Sequence, residues 1–591
     1  MKTRHLLPLL LPLTSLHADP QLSSWYTADS GQYARLYQST ADETAGTKSI
    51  TWSRGTGIQS NPTYATVSEI SYSASWIYIR TTGLASHVMG PWYIDANKTQ
   101  NFPNFPSNTA TIYRIPRTPV IPVSKTLTGL GSTGRAANGV SFFDSRDAFS
   151  YSTSNATDAT PTNGITGDGI WNRDGYHNEG VTFDPALAHQ AGNNYHYHAH
   201  PIGLRYQLGD HVDYNATTNR YTESAASPTK HSPILGWAAD GLPIYGPYGY
   251  SSPLDSNSGV RRMVSGFVKR DGSNGTTNLS STGRTTLPAW AARVQSRSAT
   301  LASNQYGPVI STNYALGHYI EDFDYLGDLG YTQGVAFDLN EQNVRYCVTP
   351  EYPSGTWAYF VTINSDGTPT YPYTTGRAYY GTPSGGAVTS ITETVTTWFS
   401  GGPNKTETMS APTVSGSDVT LSWSGVEGGT YTVEASSNLS SWTALTPTVT
   451  TTGDDAAQAV ETSGAANGSR FYRVTRASLA TFDSNGFNYT QSGGGGGTST
   501  TNVPGGTATR GTTVTATITL PTSPPQPPAN LVPTSVTIGG TIAGTSISRP
   551  SQGTVIATFT IPANATTGAQ NVVVTFNPAP TYTLTGGITI Q

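Results

Sequence analysis

The stretch NNYHYHAHP, residues 193–201, places His196, His198 and His200 at alternate positions with Tyr195 and Tyr197 between them. On an extended chain successive side chains point to opposite faces, so the histidines fall on one face and Tyr195 and Tyr197 on the other. The period of two predicts a strand, ended or bent by Pro201. Composition extends this reading to the whole chain: 63 glycines, 34 tyrosines and only 11% charged residues describe strands joined by turns. The expected fold class is mainly β, a large β-rich N-terminal region followed by two small β-sandwich modules.

The histidine face has the geometry of a metal site. Side chains two apart on a strand lie about 6.5 to 7 Å apart, and metals accept imidazole nitrogens at about 2.0 to 2.1 Å, so His196 and His198 can converge on one ion. His200 lies about 13 Å from His196 on a straight strand, which assigns it an outer role. Seven of the nine histidines beyond residue 18 fall between 177 and 231, and His177 and His231 are the expected further ligands. The bland alternative is a half-buried strand padded by His–Tyr alternation.

A second feature is HSPILGWAADGLPIYGPYGY, residues 231–250, where Asp240-Gly241 marks a turn between apolar runs. Asp240 is a candidate to orient a ligating histidine by accepting its second N–H. Tyr245 is a candidate oxygen ligand. LGHYIEDFDYLGDLG, residues 316–330, adds His318, and a calcium loop at Asp322, Asp324 and Asp328 is a weaker expectation because its spacing lacks the usual glycine and closing Glu. The segment DPALAHQA, 184–191, reads as a short helix capped by Asp184 with Pro185 in its first turn.

Taken together, YHYH at 195–198, HSPILGWAADGLPIYGP at 231–247 and RYCVTPEYPSGTWAYFVT at 345–362 resemble the YHYH-domain family of secreted proteins, over about residues 120–385. The resemblance implies an extracytoplasmic β-rich domain, often followed by sandwich modules. It implies no particular reaction, so the chemistry rests on the residues. Histidine and tyrosine without cysteine pairs suit a transition metal, copper ahead of zinc or iron. A competing design uses two histidines and two tyrosines on ferric iron. Strand geometry opposes its simplest form, since Tyr195 and Tyr197 face away from the histidines, and Tyr176 or Tyr245 would have to serve.

Residues 1–18 carry Lys2 and Arg4, an apolar run from Leu6 to Leu16 broken by Pro8 and Pro12, and Ala18 at a cleavage point. This reads as a secretory signal and not a membrane span. A β-rich segment at 24–120 either stands alone or joins the region at 120–385. Beyond residue 400 histidine disappears, and 404–480, with Trp423 as its buried-Trp candidate, reads as a fibronectin- or immunoglobulin-like sandwich. Five glycines, 493–497, link it to a last immunoglobulin-like module at 498–591. The single cysteine, Cys347, excludes an internal disulfide and reads as a buried small hydrophobe.

A formal net charge of -5 with no basic cluster argues against nucleic acid as partner. No spacing points to a hydrolase triad, a nucleotide loop or a glycosidase carboxylate pair. The expected location is extracytoplasmic, whether secreted, periplasmic or at the cell surface, with a metal ion as ligand and cell-surface or extracellular matrix components as partners. The reading from a different class is an extracellular adhesion or carbohydrate-binding module without catalysis.

Overall fold

The structure is a computed structural model that describes residues 19–591, apart from 402–408, 424–430, 448, 452–456, 469, 477–497, 522–525, 527–530, 563 and 577–579. The signal at 1–18 and the glycine linker at 493–497 therefore lie outside the described residues. The protein is mainly β, as the alternating sequence predicts. Among the described residues no helix is long and apolar enough to cross a membrane.

The functional region is built on a mixed sheet of eight strands. They are β1 (Ser132–Ala136), β2 (Ser141–Phe143), β3 (Ala188–Ala191), β4 (Asn194–Tyr197), β5 (Ile234–Ala238), β6 (Pro243–Tyr245), β7 (Val344–Cys347) and β8 (Thr356–Phe360). Their spatial order is β3-β4-β2-β1-β5-β6-β8-β7. The three sequence motifs thus become parts of one sheet. Its interior strands are buried on both faces, so β5 and β6 expose nothing, and their sequences run apolar without alternation.

Residues 24–120 share this core. Leu36, Trp52, Trp92 and Phe105 pack in one cluster with Phe142, Tyr195, Tyr197 and Tyr359. The run ISYSASWIYIR, residues 70–80, lies in a hairpin, Val67–Tyr72 paired with Trp76–Thr81, with the small residues Ser73, Ala74 and Ser75 at its turn. This hairpin continues through Thr111–Pro116 to Gly386–Val388 on one side and to Thr396–Ser400 on the other. Cys347 is fully buried, packed with Trp237, Tyr245 and Phe360.

The segment 184–191 departs from expectation. It makes no helix: Leu187 takes a left-handed backbone (φ 64) and residues 188–191 become β3. The cause is Asp184. Its carboxylate accepts from the backbone N–H of Ala186, Ala188 and Gly90, and from the Tyr195 hydroxyl at 2.7 Å, so it ties three segments together instead of capping a helix. Burial pushes this carboxyl up to about 6 even against those hydrogen bonds.

Further along, two sheets, of four and three strands, face each other between residues 413 and 476 across Val419, Leu421, Trp423, Val433 and Val474. Trp423 is buried there. The chain divides into two compact units, Met1–Phe487 and Asn488–Gln591. The second holds an eight-stranded sheet whose strands Thr513–Thr519 and Thr554–Thr560 alternate buried and partly buried positions around Val514, Ile518, Phe559 and Val572.

Tyr197 tests the assignment of faces. It is fully buried, takes a hydrogen bond from Asn138 Nδ2 at 3.1 Å and pairs with His87 Nε2 at 3.2 Å. Tyr197→Ala is expected to lower the unfolding free energy by about 3 to 5 kcal/mol in a denaturant titration, by analogy with other large aromatic truncations. A loss below about 1 kcal/mol would place its ring outside the core.

Candidate metal centre

The centre begins with a turn. Gly192 and Asn193 join β3 to β4 with only two residues between the strands, and Gly192 adopts the positive φ (61) such a loop requires. That turn fixes the register, and His189 falls directly opposite His196. Cross-strand partners lie on the same face, so His189 joins His196 and His198 there, while Tyr195 and Tyr197 point into the core. The three rings are buried, with 3, 1 and 4% exposure for His189, His196 and His198.

Their nitrogens converge. His196 Nε2 lies 3.1 Å from His189 Nε2 and 3.0 Å from His198 Nε2, and the three ligand atoms fall within 4.8 Å of one another. The opposite edge of each ring sets its tautomer. His196 Nδ1 lies 3.0 Å from the Asn194 carbonyl, and His198 Nδ1 lies 2.8 Å from the Asp144 carbonyl. A carbonyl oxygen only accepts, so both Nδ1 atoms carry the proton. His189 Nδ1 meets Thr182 Oγ1 at 2.7 Å, and that hydroxyl already donates to the Glu179 carbonyl. Thr182 must therefore accept as well, and His189 Nδ1 is protonated too. In the neutral rings all three Nε2 lone pairs face one point.

Such convergence is repulsive without a cation. Four-coordinate geometry at about 2.0 to 2.1 Å would place nitrogens about 3.3 Å apart, close to the 3.1 and 3.0 Å that separate His196 Nε2 from its two neighbours. Burial, and then the neighbouring imidazoles, lower the pKa of His189 and His196 well below the usual histidine value, which favours the neutral ligating form. Burial acts on His198 in the same direction, but Glu179 Oε2, 3.1 Å from its Nε2, outweighs it and the net direction is up. Glu179 Oε2 also lies 3.6 Å from His189 Nε2. With 27% of its side chain exposed, Glu179 is the solvent-facing side of the centre.

Glu179 ends the short helix α1 (Gly175–Glu179). Asp174 caps that helix by accepting from the His177 backbone N–H at 2.8 Å, and itself accepts from the Tyr373 hydroxyl. Asn178 donates to the His318 carbonyl at 2.8 Å, which fastens the helix to the 316–330 segment. Apolar rings wall the centre: Phe143 stacks on His196 with centroids 3.8 Å apart, and Phe183 meets His189 edge-on at 4.8 Å.

The other expected site residues have different partners. His177 packs on His318 with ring centroids 5.5 Å apart, and His318 Nε2 bonds Asp158 at 2.7 Å. His231 sits among Tyr245, Tyr250 and Phe360. Neither His177 nor His231 joins the converging group, in which His189 takes the third place. His200 accepts from Arg205 at 3.1 Å. Asp240 orients no histidine: it accepts from the Tyr359 hydroxyl and from the backbone N–H of Leu242 and Gly381, holding its own turn. Tyr245 donates to Glu351 at 2.9 Å. Asp322, Asp324 and Asp328 each face an arginine, Arg284, Arg270 and Arg293, instead of one another. The sequence reading missed His189 and Glu179 as site residues. The Gly192-Asn193 turn was the available signal for the first, and Glu179 carried none.

Residues 112–373 match the model of the family described as YHYH protein. This region holds the whole centre, and the match agrees with the order of motifs along β4, β5, β6, β7 and β8. No curated protein matches the chain. Among solved structures there is a likeness to Bacteroides ovatus mixed-linkage glucan utilization locus SGBP-B in complex with mixed-linkage heptasaccharide, at 15% identity and a TM-score of 0.11. It covers 29% of this chain and 42% of that chain, so the two share less than half of that protein's length.

The buried neutral histidines make the metal-free fold acid-sensitive. Burial lowers His87 and His231 to about 4, against about 6.5 when unfolded. Below pH 6.5 the unfolded chain therefore takes up protons at these rings that the fold refuses, so their contribution to stability falls as pH drops from 6.5 toward 4, while a raised carboxyl such as Asp184 contributes in the opposite sense. The melting temperature of metal-stripped protein is expected to decline across that window. A flat profile there would show that these rings are solvated.

Proposed function

We propose that the YHYH region binds a transition metal through His189, His196 and His198, with Glu179 completing or gating the fourth position. The supporting observation is the tautomer pattern, which turns three lone pairs onto one buried point. Nitrogen donors with a carboxylate and no thiolate suit copper, zinc or iron, and the affinity order of divalent ions puts copper first. Three protein nitrogens with one position at the protein surface fit a site for handling or redox use of the ion, in an extracytoplasmic protein. The carbonyl and hydroxyl partners of the three Nδ1 atoms fix ring orientation, the role outer hydrogen bonds play at metal sites.

A second reading is an extracellular carbohydrate-binding or adhesion role, favoured by an aromatic row at the surface. Tyr346, 42% exposed, packs against Trp357 with centroids 5.2 Å apart, and Trp357 packs against Tyr380 at 4.5 Å. Lys125 Nζ lies 3.9 Å over the Tyr380 ring.

Elemental analysis of untagged protein decides the first reading. About one equivalent of copper, zinc or iron is expected after reconstitution, and His189→Ala, His196→Ala and His198→Ala should each remove most of it while the fold persists. His177→Ala should keep it. Bound metal should also raise the melting temperature, since an ion that binds only the fold stabilises it. Less than about 0.2 equivalents in wild type, at saturating metal, would end the proposal.

We further infer that the modules at 404–480 and 498–591 contribute nothing to the centre, because they contain no histidine or cysteine. Strand Thr396–Ser400 belongs with Val67–Tyr72, so a truncated chain should end after Gly401 and not before 396. It is expected to bind the same equivalent of metal as the full chain. Loss of metal in a truncated chain that retains cooperative unfolding would implicate the modules.

A further inference from the structure

A second cleft, of about 880 Å³, opens elsewhere in the YHYH region between the 208–211 turn, His231, Tyr250 and Glu351. Its chemistry differs from that of the metal centre. His231 donates its Nδ1–H to the Ser232 carbonyl at 2.7 Å, so Nε2 carries a lone pair. That nitrogen is buried and finds no partner, in a residue only 9% exposed. His211 donates its Nε2–H to the Ala226 carbonyl at 2.6 Å, which leaves a second lone pair at Nδ1. Glu351 accepts from the Tyr245 hydroxyl with Oε2 at 2.9 Å. The half-buried ring of Tyr250 flanks His231 with centroids 5.0 Å apart.

The cleft thus holds one buried acceptor without a donor, His231 Nε2, with the His211 ring and the Glu351 carboxylate also in its lining. A buried acceptor left unpaired is destabilising, and a ligand bearing O–H groups would relieve it. The nitrogens do not gather as a metal site: the one group of converging ligand atoms among the described residues is the His189, His196 and His198 trio. An aromatic ring beside an unpaired buried acceptor in an open cleft matches a sugar, which offers an apolar C–H face and hydroxyl donors at its rim. We propose that this cleft, formed by His211, His231, Tyr250 and Glu351, binds a carbohydrate. The assignment rests on the second reading above and gives it a site distinct from the aromatic row at Tyr346.

Isothermal titration of the full chain with cellohexaose, laminarihexaose and mannohexaose tests it, with spermidine as a cationic control. At least one hexasaccharide is expected to bind with a Kd below about 1 mM. Tyr250→Ala, which removes a half-exposed ring, and His231→Phe, which keeps a ring but deletes the acceptor, should each weaken binding about tenfold. Both variants should retain wild-type metal content, and Tyr250→Ala alone suffices if His231→Phe does not fold. Sugar binding that is unchanged in both variants but lost in Trp357→Ala would overturn the cleft and leave the carbohydrate reading standing. No binding of any hexasaccharide to wild type would overturn both. Binding of spermidine alone, lost in Glu351→Gln, would make the cleft a cation site and overturn the proposal.

Discussion

The register between Ala188–Ala191 and Asn194–Tyr197 governs the site on one face and the core on the other. A two-residue turn sets it, and period-two geometry means that a slip of one residue would exchange the faces. His189 would then leave His196, and Tyr195 would lose Asp184. The hairpin is locked from behind by that Asp184–Tyr195 bond, and Asp184 also holds Gly90 and the turn that enters the hairpin. The same carboxylate therefore secures the core and indirectly spaces the imidazoles.

Burying three imidazoles with converging lone pairs opposes folding unless a positive charge arrives. The Glu179 carboxylate, 3.1 Å from His198 Nε2, partly offsets this. Helix α1 positions this carboxylate, and its own anchors are far away in sequence: Asp174 to Tyr373 and Asn178 to His318. The centre is thus assembled from a local hairpin that presents nitrogens and a remotely braced helix that presents an oxygen.

That division explains what was legible in the sequence. Alternation in NNYHYHAHP revealed the strand, the two faces and the pairing of His196 with His198, because period-two geometry is local. The three motifs marked the extent of the YHYH region for the same reason, each being a contiguous strand or turn of one sheet. His189 was obscured by DPALAHQA, whose helical propensity is overridden by the long-range bonds of Asp184. His177 and His231 looked equivalent to His189 because clustering along the chain does not report direction. His177 lies on α1 near His318, and His231 lies beside Tyr245 and Phe360 on the far strands of the sheet. Glu179 depends on tertiary bracing and left no pattern to read.

The same geometry bears on the choice of metal. A ferric centre with tyrosinate ligands needs phenols that ionise readily and point at the ion. Tyr195 and Tyr197 do neither. Their rings lie in the core, and their hydroxyls face Asp184 and, for Tyr197, His87 and Asn138. Burial, reinforced for Tyr195 by the Asp184 charge, pushes both phenols well above their ordinary range. Tyr245 is likewise pushed up by burial and then by Glu351, in the separate cluster around His231. The donors that remain at the hairpin are imidazole nitrogens and one carboxylate, walled by Phe143 and Phe183. That donor set suits a borderline ion such as copper or zinc better than the hard ferric ion that phenolates stabilise.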